Sequence, residues 1–153
     1  LLNGGYHAWL GAGLPTETGA NQANPTHYPV KDFTGVVRHD QLNKKQVVDV
    51  RASERYRGEH EPVDPKAGHI PGAVNRPVME NLTDDGRFKD PGVLLAQFSE
   101  LDPRPAISCG SGVNACHTAL AMLVAGRELP DVYVGSYSEW STLDFPVSTG
   151  DTP

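Results

Sequence analysis

Short apolar runs alternate along this chain with segments in which apolar residues recur at helical spacing. The runs predict strands at 46–50, 73–75, 106–108 and 132–134, and the other segments predict helices at 53–58, 90–101, 113–124 and around Trp140. Strands that alternate with helices are typical of βαβ units, in which helices cover a parallel sheet. The pattern therefore predicts the α/β class, with a mainly parallel central sheet flanked by helices on both faces.

The segment 113–124 carries the longest helical pattern, and Gly126 follows it as a C-cap. Its apolar positions are Val113, Cys116, Leu120 and Leu123 or Val124. A spacing of three or four residues puts such side chains on one face of a helix. We therefore expect Cys116 to pack in the core and His117 to face outward.

Composition and charge argue against several classes of function. The chain has 153 residues, 38% of them hydrophobic and 21% charged, with a net charge of -6 and a pI near 5.4. An acidic chain without a large basic face is a poor partner for nucleic acid or for an anionic membrane. The longest apolar run, 119–125, is far shorter than the roughly 20 residues that span a bilayer. Two cysteines make no disulfide framework, so we expect a reducing, cytoplasmic setting.

The first 19 residues are repeated near the end of the chain. LLNGGYHAWLGAGLPTETG aligns without gaps on VYVGSYSEWSTLDFPVSTG, and the only two tryptophans, Trp9 and Trp140, fall in register. The other matches are Gly4 with Gly135, Tyr6 with Tyr137, Pro15 with Pro146 and Gly19 with Gly150. Such self-similarity indicates a duplicated unit. We therefore expect residues 1–14 to be the tail of a preceding domain, 15–32 to be a linker rich in Pro and Asn, and 33–153 to be one complete domain.

Cys109 follows the predicted strand 106–108 and precedes a Gly-Ser-Gly turn and the predicted helix 113–124. Open α/β folds bind ligands at the carboxyl edge of the sheet, which is where this cysteine is expected. Glycines at 110 and 112 allow a tight turn whose N–H groups face inward, and the positive end of the helix dipole adds to this anion-binding cradle. Because such a cradle favours thiolate over thiol, we predict that Cys109 is a nucleophile.

Three other interpretations of Cys109 are weaker. A buried, inert cysteine is common in protein cores, but it gains nothing from a Gly-x-Gly turn. Cysteine phosphatases and arsenate reductases close a similar loop with an arginine six residues after the cysteine, where this chain has Ala115. A zinc site needs four suitably spaced ligands, and Cys109, Cys116 and His117 include no Cys-x-x-Cys pair. No metal is therefore expected.

Four segments together resemble the catalytic, C-terminal domain of tandem rhodanese-type sulfurtransferases. They are VVDVRASERYRGE, GHIPGAVNRPV, CGSGVNAC and VYVGSYSEW, and the resemblance spans residues 33–147. The first 14 residues are similar to the end of the non-catalytic sister domain, in agreement with the internal repeat. The resemblance implies a rhodanese-like fold, a catalytic domain at 33–153, and a sister domain N-terminal to it.

The resemblance also implies sulfur transfer by double displacement. Cys109 would take a sulfane sulfur from a small anionic donor, thiosulfate or 3-mercaptopyruvate, and pass it from a persulfide to cyanide or to a thiol such as reduced thioredoxin. Loop amides would hold the persulfide without a metal or organic cofactor. The residues of this cradle are Gly110, Ser111, Gly112, Val113 and Asn114. Arg55 matches the family's arginine that holds the donor's negative group; the alternative is a salt bridge with Glu54 or Glu59.

Two signals leave the choice of donor open. The loop Cys-Gly-Ser-Gly-Val resembles the mercaptopyruvate type, because thiosulfate enzymes of the family often carry basic residues directly after the cysteine. Asn114 departs from that type's threonine, and Val63 and Asp64 lie near where animal mercaptopyruvate enzymes have a second carboxylate-holding arginine. Ser111 resembles a serine that relays protons with a histidine and an aspartate of the sister domain; the alternative is a small residue that fits the turn.

Other conspicuous residues are expected to be structural. Asp49 and Arg51 should pair or bind loop backbone, His69 should tie the loop before the next strand, and Trp9 and Trp140 should anchor helices to the core. The rival hypothesis from another functional class is a non-catalytic rhodanese-like binding or regulatory module. The intact cysteine loop and its nearby arginine favour the enzyme.

Overall fold

The computed structural model describes residues 2–20, 22–29 and 34–153, and within these ranges five short strands form one sheet. They are β1 (Val36–Val37), β2 (Val47–Asp49), β3 (Val74–Asn75), β4 (Ala106–Ser108) and β5 (Asp131–Tyr133). Their spatial order is β1-β5-β4-β2-β3, and every neighbouring pair is parallel. The carboxyl ends of all these strands therefore lie along one edge, as the α/β prediction requires.

Helices cover both faces of the sheet. They are α2 (Ser53–Tyr56), α3 (Pro91–Gln97), α4 (Val113–Val124) and α5 (Ser136–Thr142), with short 3₁₀ helices at His39–Lys44 and Val78–Asn81. A further helix, α1 (Gly5–Gly11), buries none of its residues. Strand side chains alternate between the two faces, so Ile107 packs with α3 and α4 while Ala106 packs with α2 and α5. The predicted arrangement with helices on both faces is confirmed.

Element boundaries agree best where a turn residue marks them. β4 and α4 have their predicted bounds, and Gly126 follows α4 with φ +78°. The Asp90 side chain caps α3 by accepting from the Gly92 amide at 2.8 Å. This helix ends at Gln97 rather than at 101, because Arg127 donates to the Phe98 and Leu101 carbonyls and holds the chain in turns there.

Other segments differ from the sequence pattern. Helix α2 stops at Tyr56 rather than at residue 58, β2 is shorter than predicted, and β5 begins one residue earlier. Strand β1 and both 3₁₀ helices were not predicted, because elements of two to six residues are too short to show a measurable period.

The buried face of α4 is not the predicted one. Its buried residues are Ala115, Thr118, Ala119, Ala121 and Met122. Val113 is 72% exposed and Cys116 is exposed, so the prediction that Cys116 packs in the core is wrong. His117 is half-buried rather than turned outward: its ring lies 4.8 Å from that of Phe88, and burial lowers the pKa of His117. Short alanine side chains let the helix lie close to the sheet and leave the larger residues at its flanks.

The repeated segment adopts the same local structure in both copies. The indole nitrogen of Trp9 donates to the Pro15 carbonyl at 2.9 Å, and that of Trp140 donates to the Pro146 carbonyl at 2.9 Å. Trp140 packs against the core as predicted. Helix α1 buries none of its residues in this chain, so the anchoring of a helix by Trp9 stays a prediction about the preceding domain. The predicted boundary between linker and domain, at residues 32 and 33, lies outside the described residues.

Asp131 ties strands together at the amino edge of the sheet. Its carboxylate accepts from Lys45, before β2, at 2.5 Å and from Arg104, before β4, at 2.7 Å. Burial alone would raise the pKa of Asp131, but hydrogen bonds from the two cations outweigh it and lower that pKa. This edge is structural, because the cysteine loop lies at the opposite end of the strands.

Candidate active site

Cys109 is the first residue after β4, at the carboxyl edge of the sheet. Its amide donates to Ser136 Oγ at 3.0 Å, and its Sγ accepts from the Gly112 amide at 3.1 Å. The residue is only 2% exposed, yet it lines a cavity of about 580 Å³. The sulfur therefore lies at the bottom of a pocket, and a small donor must enter the pocket to reach it.

The loop that follows the cysteine presents a series of main-chain N–H groups. Within the described residues, four of these amides donate to no protein acceptor: those of Gly110, Ser111, Val113 and Asn114. They belong to the turn and to the first residues of α4, where the helix dipole is positive. This leaves them available to an anion bound beside the sulfur.

The two glycines of the loop are not equivalent. Gly112 has φ +85°, and a Cβ atom there would lie 2.7 Å from the Val134 carbonyl oxygen, so only glycine fits. Gly110 lies outside the left-handed region, and a Cβ atom there would lie at an ordinary 3.7 Å from Arg55 Nη1. Of the two glycines that were expected to allow the tight turn, only Gly112 has a backbone conformation that requires glycine.

The cavity brings together most of the residues that the sequence singled out. Its lining consists of residues 50–55, residues 77–79, Cys109, Gly110, Ser111, Val113 and Asn114. Arg55 thus lines the same cavity as the cysteine loop, with its Nη1 on the side of Gly110. Apolar side chains stand at the rim, where Met79 is 70% exposed and Val113 is 72% exposed.

Arg55 is held by two carboxylates that sequence proximity did not indicate. Its Nη2 donates to Glu61 at 2.7 Å and to Asp64 at 3.0 Å, and its Nε donates to Glu61 at 3.2 Å. The expected alternative, a salt bridge with Glu54 or Glu59, is wrong. Burial alone would lower the pKa of Arg55, but the hydrogen bond and charge of Glu61 and the charge of Asp64 outweigh it and raise that pKa. The guanidinium is therefore a fixed cation on the cavity wall.

A buried ion-pair chain extends from the end of β2 to this arginine. Arg51 forms ion pairs with Asp49 at 2.6 Å and with Glu61 at 3.2 Å. It also donates a hydrogen bond to the Gly68 carbonyl at 2.7 Å. The prediction that Asp49 and Arg51 pair is therefore confirmed. The Arg51 guanidinium lies 3.8 Å from the centre of the Tyr137 ring. Burial raises the pKa of Tyr137 to about 12, so the ring stays neutral.

Glu61 joins the two arginines. Burial alone would raise the pKa of Glu61, but hydrogen bonds from Arg55 and from the amides of Asp64 and Val63 outweigh it and lower that pKa. The carboxylate therefore stays charged and fixes the position of Arg55.

His69 is structural, as predicted. It is fully buried, and its ring stacks on Tyr56 with centroids 3.7 Å apart. Its two ring nitrogens lie 2.8 Å from the Tyr56 carbonyl and 3.2 Å from the Thr152 carbonyl. These contacts tie the loop before β3 to α2 and to the C-terminal segment, away from the sulfur.

Ser136 is a further site residue that sequence reasoning missed, besides the two carboxylates that hold Arg55. It is buried, its Oγ accepts from the Cys109 amide and donates to the Tyr133 carbonyl at 2.8 Å, and its Oγ lies 3.9 Å from the cysteine sulfur. It has φ +52°, a left-handed conformation that is unusual for serine. The repeat contained the signal, because Ser136 aligns with Gly5, which has φ +59°.

In the part of the chain that the structure describes, no group of three or more His, Cys, Asp and Glu side chains is placed to hold a metal ion. None of the helices within these ranges has the length and apolar character to cross a bilayer.

Comparison with known proteins places this site in a family. Residues 37–143 match the sequence model described as "Rhodanese-like domain". The chain therefore belongs to the rhodanese-like domain family, and the predicted rhodanese-like fold is confirmed.

Several relatives carry names that describe sulfur transfer. The chain is 42% identical to a probable 3-mercaptopyruvate sulfurtransferase of Pseudomonas aeruginosa, over 99% of this chain and 58% of that protein. It is 38% identical to a thiosulfate sulfurtransferase of Rattus norvegicus, over 92% of this chain and 52% of that protein. The solved 3-mercaptopyruvate sulfurtransferase of Leishmania major superposes with a TM-score of 0.80 at 30% identity, over 94% of this chain and 44% of that one. The chain thus spans about half the length of the relatives it matches.

Proposed function

We propose that this chain is the catalytic domain of a sulfurtransferase in which Cys109 carries the sulfur as a persulfide. The observation that supports this most is the position of the sulfur at the bottom of a cavity, beside loop amides that have no protein acceptor within the described residues. An inert core cysteine would need neither the cavity nor the free amides.

The reaction is a double displacement. The Cys109 thiolate attacks the sulfane sulfur of the donor and forms an S–S bond. With thiosulfate, the donor's S–S bond breaks and sulfite leaves with the electron pair; with 3-mercaptopyruvate, the C–S bond breaks and the enolate of pyruvate leaves and takes up a proton. Cyanide then attacks the outer sulfur, thiocyanate leaves, and the thiolate is restored; a thiol acceptor leaves instead as a persulfide.

The loop residues have the task of holding negative charge. The amides of residues 110–114 stabilise the outer sulfur as an anion, as oxyanion-hole donors do for oxygen. Arg55, which lines the cavity beside Gly110, attracts the anionic group of the donor. Ser111, exposed at the mouth of the cavity, is available for proton relay with groups from a sister domain.

A preceding sister domain is part of this proposal. The matching indole-to-carbonyl hydrogen bonds of Trp9 and Trp140 support the interpretation of residues 1–14 as the tail of an earlier copy. Tyr6 is 64% exposed, whereas its counterpart Tyr137 is fully buried, so the α1 segment lacks the core that the complete copy has. If the sister domain forms one wall of the donor pocket, adding it in trans should raise the rate of this chain; no change in rate would contradict the shared pocket.

Both cysteines are free, which supports a reducing, cytoplasmic setting.

Thiocyanate formation from each donor in the presence of cyanide tests the proposed activity. We expect turnover with at least one donor, complete loss in Cys109→Ser, and no loss in the matched control Cys116→Ser, since Cys116 does not line the cavity. Absence of both turnover and sulfur on Cys109 would favour the alternative, a non-catalytic binding or regulatory module.

A further inference from the structure

Three carboxylates and two guanidiniums form one connected chain beside the cavity. Asp49 pairs with Arg51, Arg51 with Glu61, Glu61 with Arg55, and Arg55 with Asp64. The side chains of Glu61 and Asp64 are each only 3% exposed, so solvent screens them weakly. These five side chains together carry an excess of one negative charge.

Arg55 offers the cavity only part of its guanidinium. Nε and Nη2 are engaged by the two carboxylates, whereas Nη1 donates to no acceptor within the described residues and lies on the side of Gly110. An arginine normally binds a dianion through a bidentate fork. Here a single amino group is left for the donor, so the contact suits one oxygen of a carboxylate.

The rest of the lining adds no free positive charge. Arg51 is buried and each of its three nitrogens donates to a protein acceptor, and Glu54 adds a carboxylate at the exposed side of the cavity. A donor with two negative charges therefore feels the excess charge of these five side chains twice as strongly as a donor with one, and Asp64, which accepts from Arg55 at 3.0 Å, is the carboxylate that leaves this excess.

We propose that Asp64 makes this site selective for sulfur donors with one negative charge, such as 3-mercaptopyruvate, over donors with two, such as thiosulfate. The inference rests on the proposed function and names its substrate class. For two charges roughly 7 Å apart and an effective dielectric constant of about 35, between those of protein and water, removing one unit charge changes the loading rate by roughly ten-fold for each charge on the donor. Removing the charge of Asp64 therefore raises the loading rate from a dianion by about ten-fold more than the loading rate from a monoanion.

Single-turnover loading of Cys109, followed by mass spectrometry of the added sulfur atom, tests this selectivity. Wild type should load faster from 3-mercaptopyruvate, and Asp64→Asn should raise the thiosulfate rate by about ten-fold relative to the 3-mercaptopyruvate rate. Asp84→Asn, which removes the same charge from an exposed loop outside the cavity, should leave the ratio unchanged.

An unchanged ratio in Asp64→Asn, or an equal shift in Asp84→Asn, would overturn the role of Asp64. Loading of wild type by neither donor would overturn the proposed function itself. If Asp64→Asn does not fold, the wild-type protein can be tested instead by protection of Cys109 from alkylation. Pyruvate should protect Cys109 from alkylation at lower concentration than sulfate does, and the reverse order would overturn the inference.

Discussion

Replacing Ser136 by alanine should destabilise the domain and disorder the cysteine loop. The hydroxyl is buried between the Cys109 amide, from which it accepts at 3.0 Å, and the Tyr133 carbonyl, to which it donates at 2.8 Å. Alanine leaves the amide buried without an acceptor, in a residue that is 2% exposed. The stability of the sheet edge and the position of the nucleophile therefore depend on the same side chain.

The size of the effect follows from these two hydrogen bonds. A buried donor without a partner costs about 1–3 kcal/mol, and loss of the second hydrogen bond costs about 0.5–1.5 kcal/mol. We therefore expect Ser136→Ala to lower the free energy of unfolding by about 3 kcal/mol. Ser136→Gly should cost about 1 kcal/mol less, because glycine adopts the left-handed conformation at φ +52° without steric penalty.

Urea unfolding of the two variants measures both values. The matched control is Ser141→Ala, a buried serine whose hydroxyl donates only to the Ser138 carbonyl at 3.3 Å, and it should change stability by less than about 1 kcal/mol. If Ser136→Ala were as stable as the control, or if Ser136→Gly were the less stable of the two Ser136 variants, the reasoning about the hydroxyl or about the backbone would be refuted.

Two further predictions concern the loop and the opposite edge of the sheet. Gly112→Ala should lower the free energy of unfolding by at least about 2 kcal/mol, because a side chain is strained at φ +85° and meets the Val134 carbonyl. The control Gly110→Ala should change the free energy of unfolding by less than about 0.5 kcal/mol. Equal losses of stability in urea unfolding would contradict this. Asp131→Asn should weaken the fall in the free energy of unfolding that the protein shows as the pH is lowered. The folded pKa of Asp131 lies below the unfolded value of about 3.9, so its stabilisation is present above that value and is lost as the pH falls through the folded one; an unchanged fall in the variant would contradict the ion-pair argument.

The parts of the fold that sequence predicted are those in which local signals agree. The strand 106–108, the glycine turn and the helix 113–124 follow one another with an apolar run, a turn and a helical period, and the structure has the same bounds. The buried face of α4 differs from the predicted one, because Val113, Cys116 and Leu123 are exposed although they continue the apolar spacing. Alanines form most of the buried stripe instead, and alanine contributes little to an apolar pattern.

The partners of Arg55 lie beyond what periodicity encodes. Glu54 and Glu59 are nearer in sequence, but the turns of residues 59–64 bring Glu61 and Asp64 to the guanidinium, and Glu59 pairs with Arg57 at 2.8 Å. The course of the backbone through residues 59–64 depends on the side chain of Glu61, which accepts hydrogen bonds from the amides of Val63 and Asp64. Sequence reasoning therefore found the cation and missed the carboxylates that set its charge.

The central claim is that loop amides hold a sulfur anion on Cys109, and amide chemical shifts measure this most directly. Spectra of the ¹⁵N-labelled chain before and after loading with a sulfur donor should show the largest amide proton shifts at the four unpartnered positions, Gly110, Ser111, Val113 and Asn114. Cys109→Ser should show none of these shifts. Addition of sulfur to Cys109 with those amides unmoved would contradict the account.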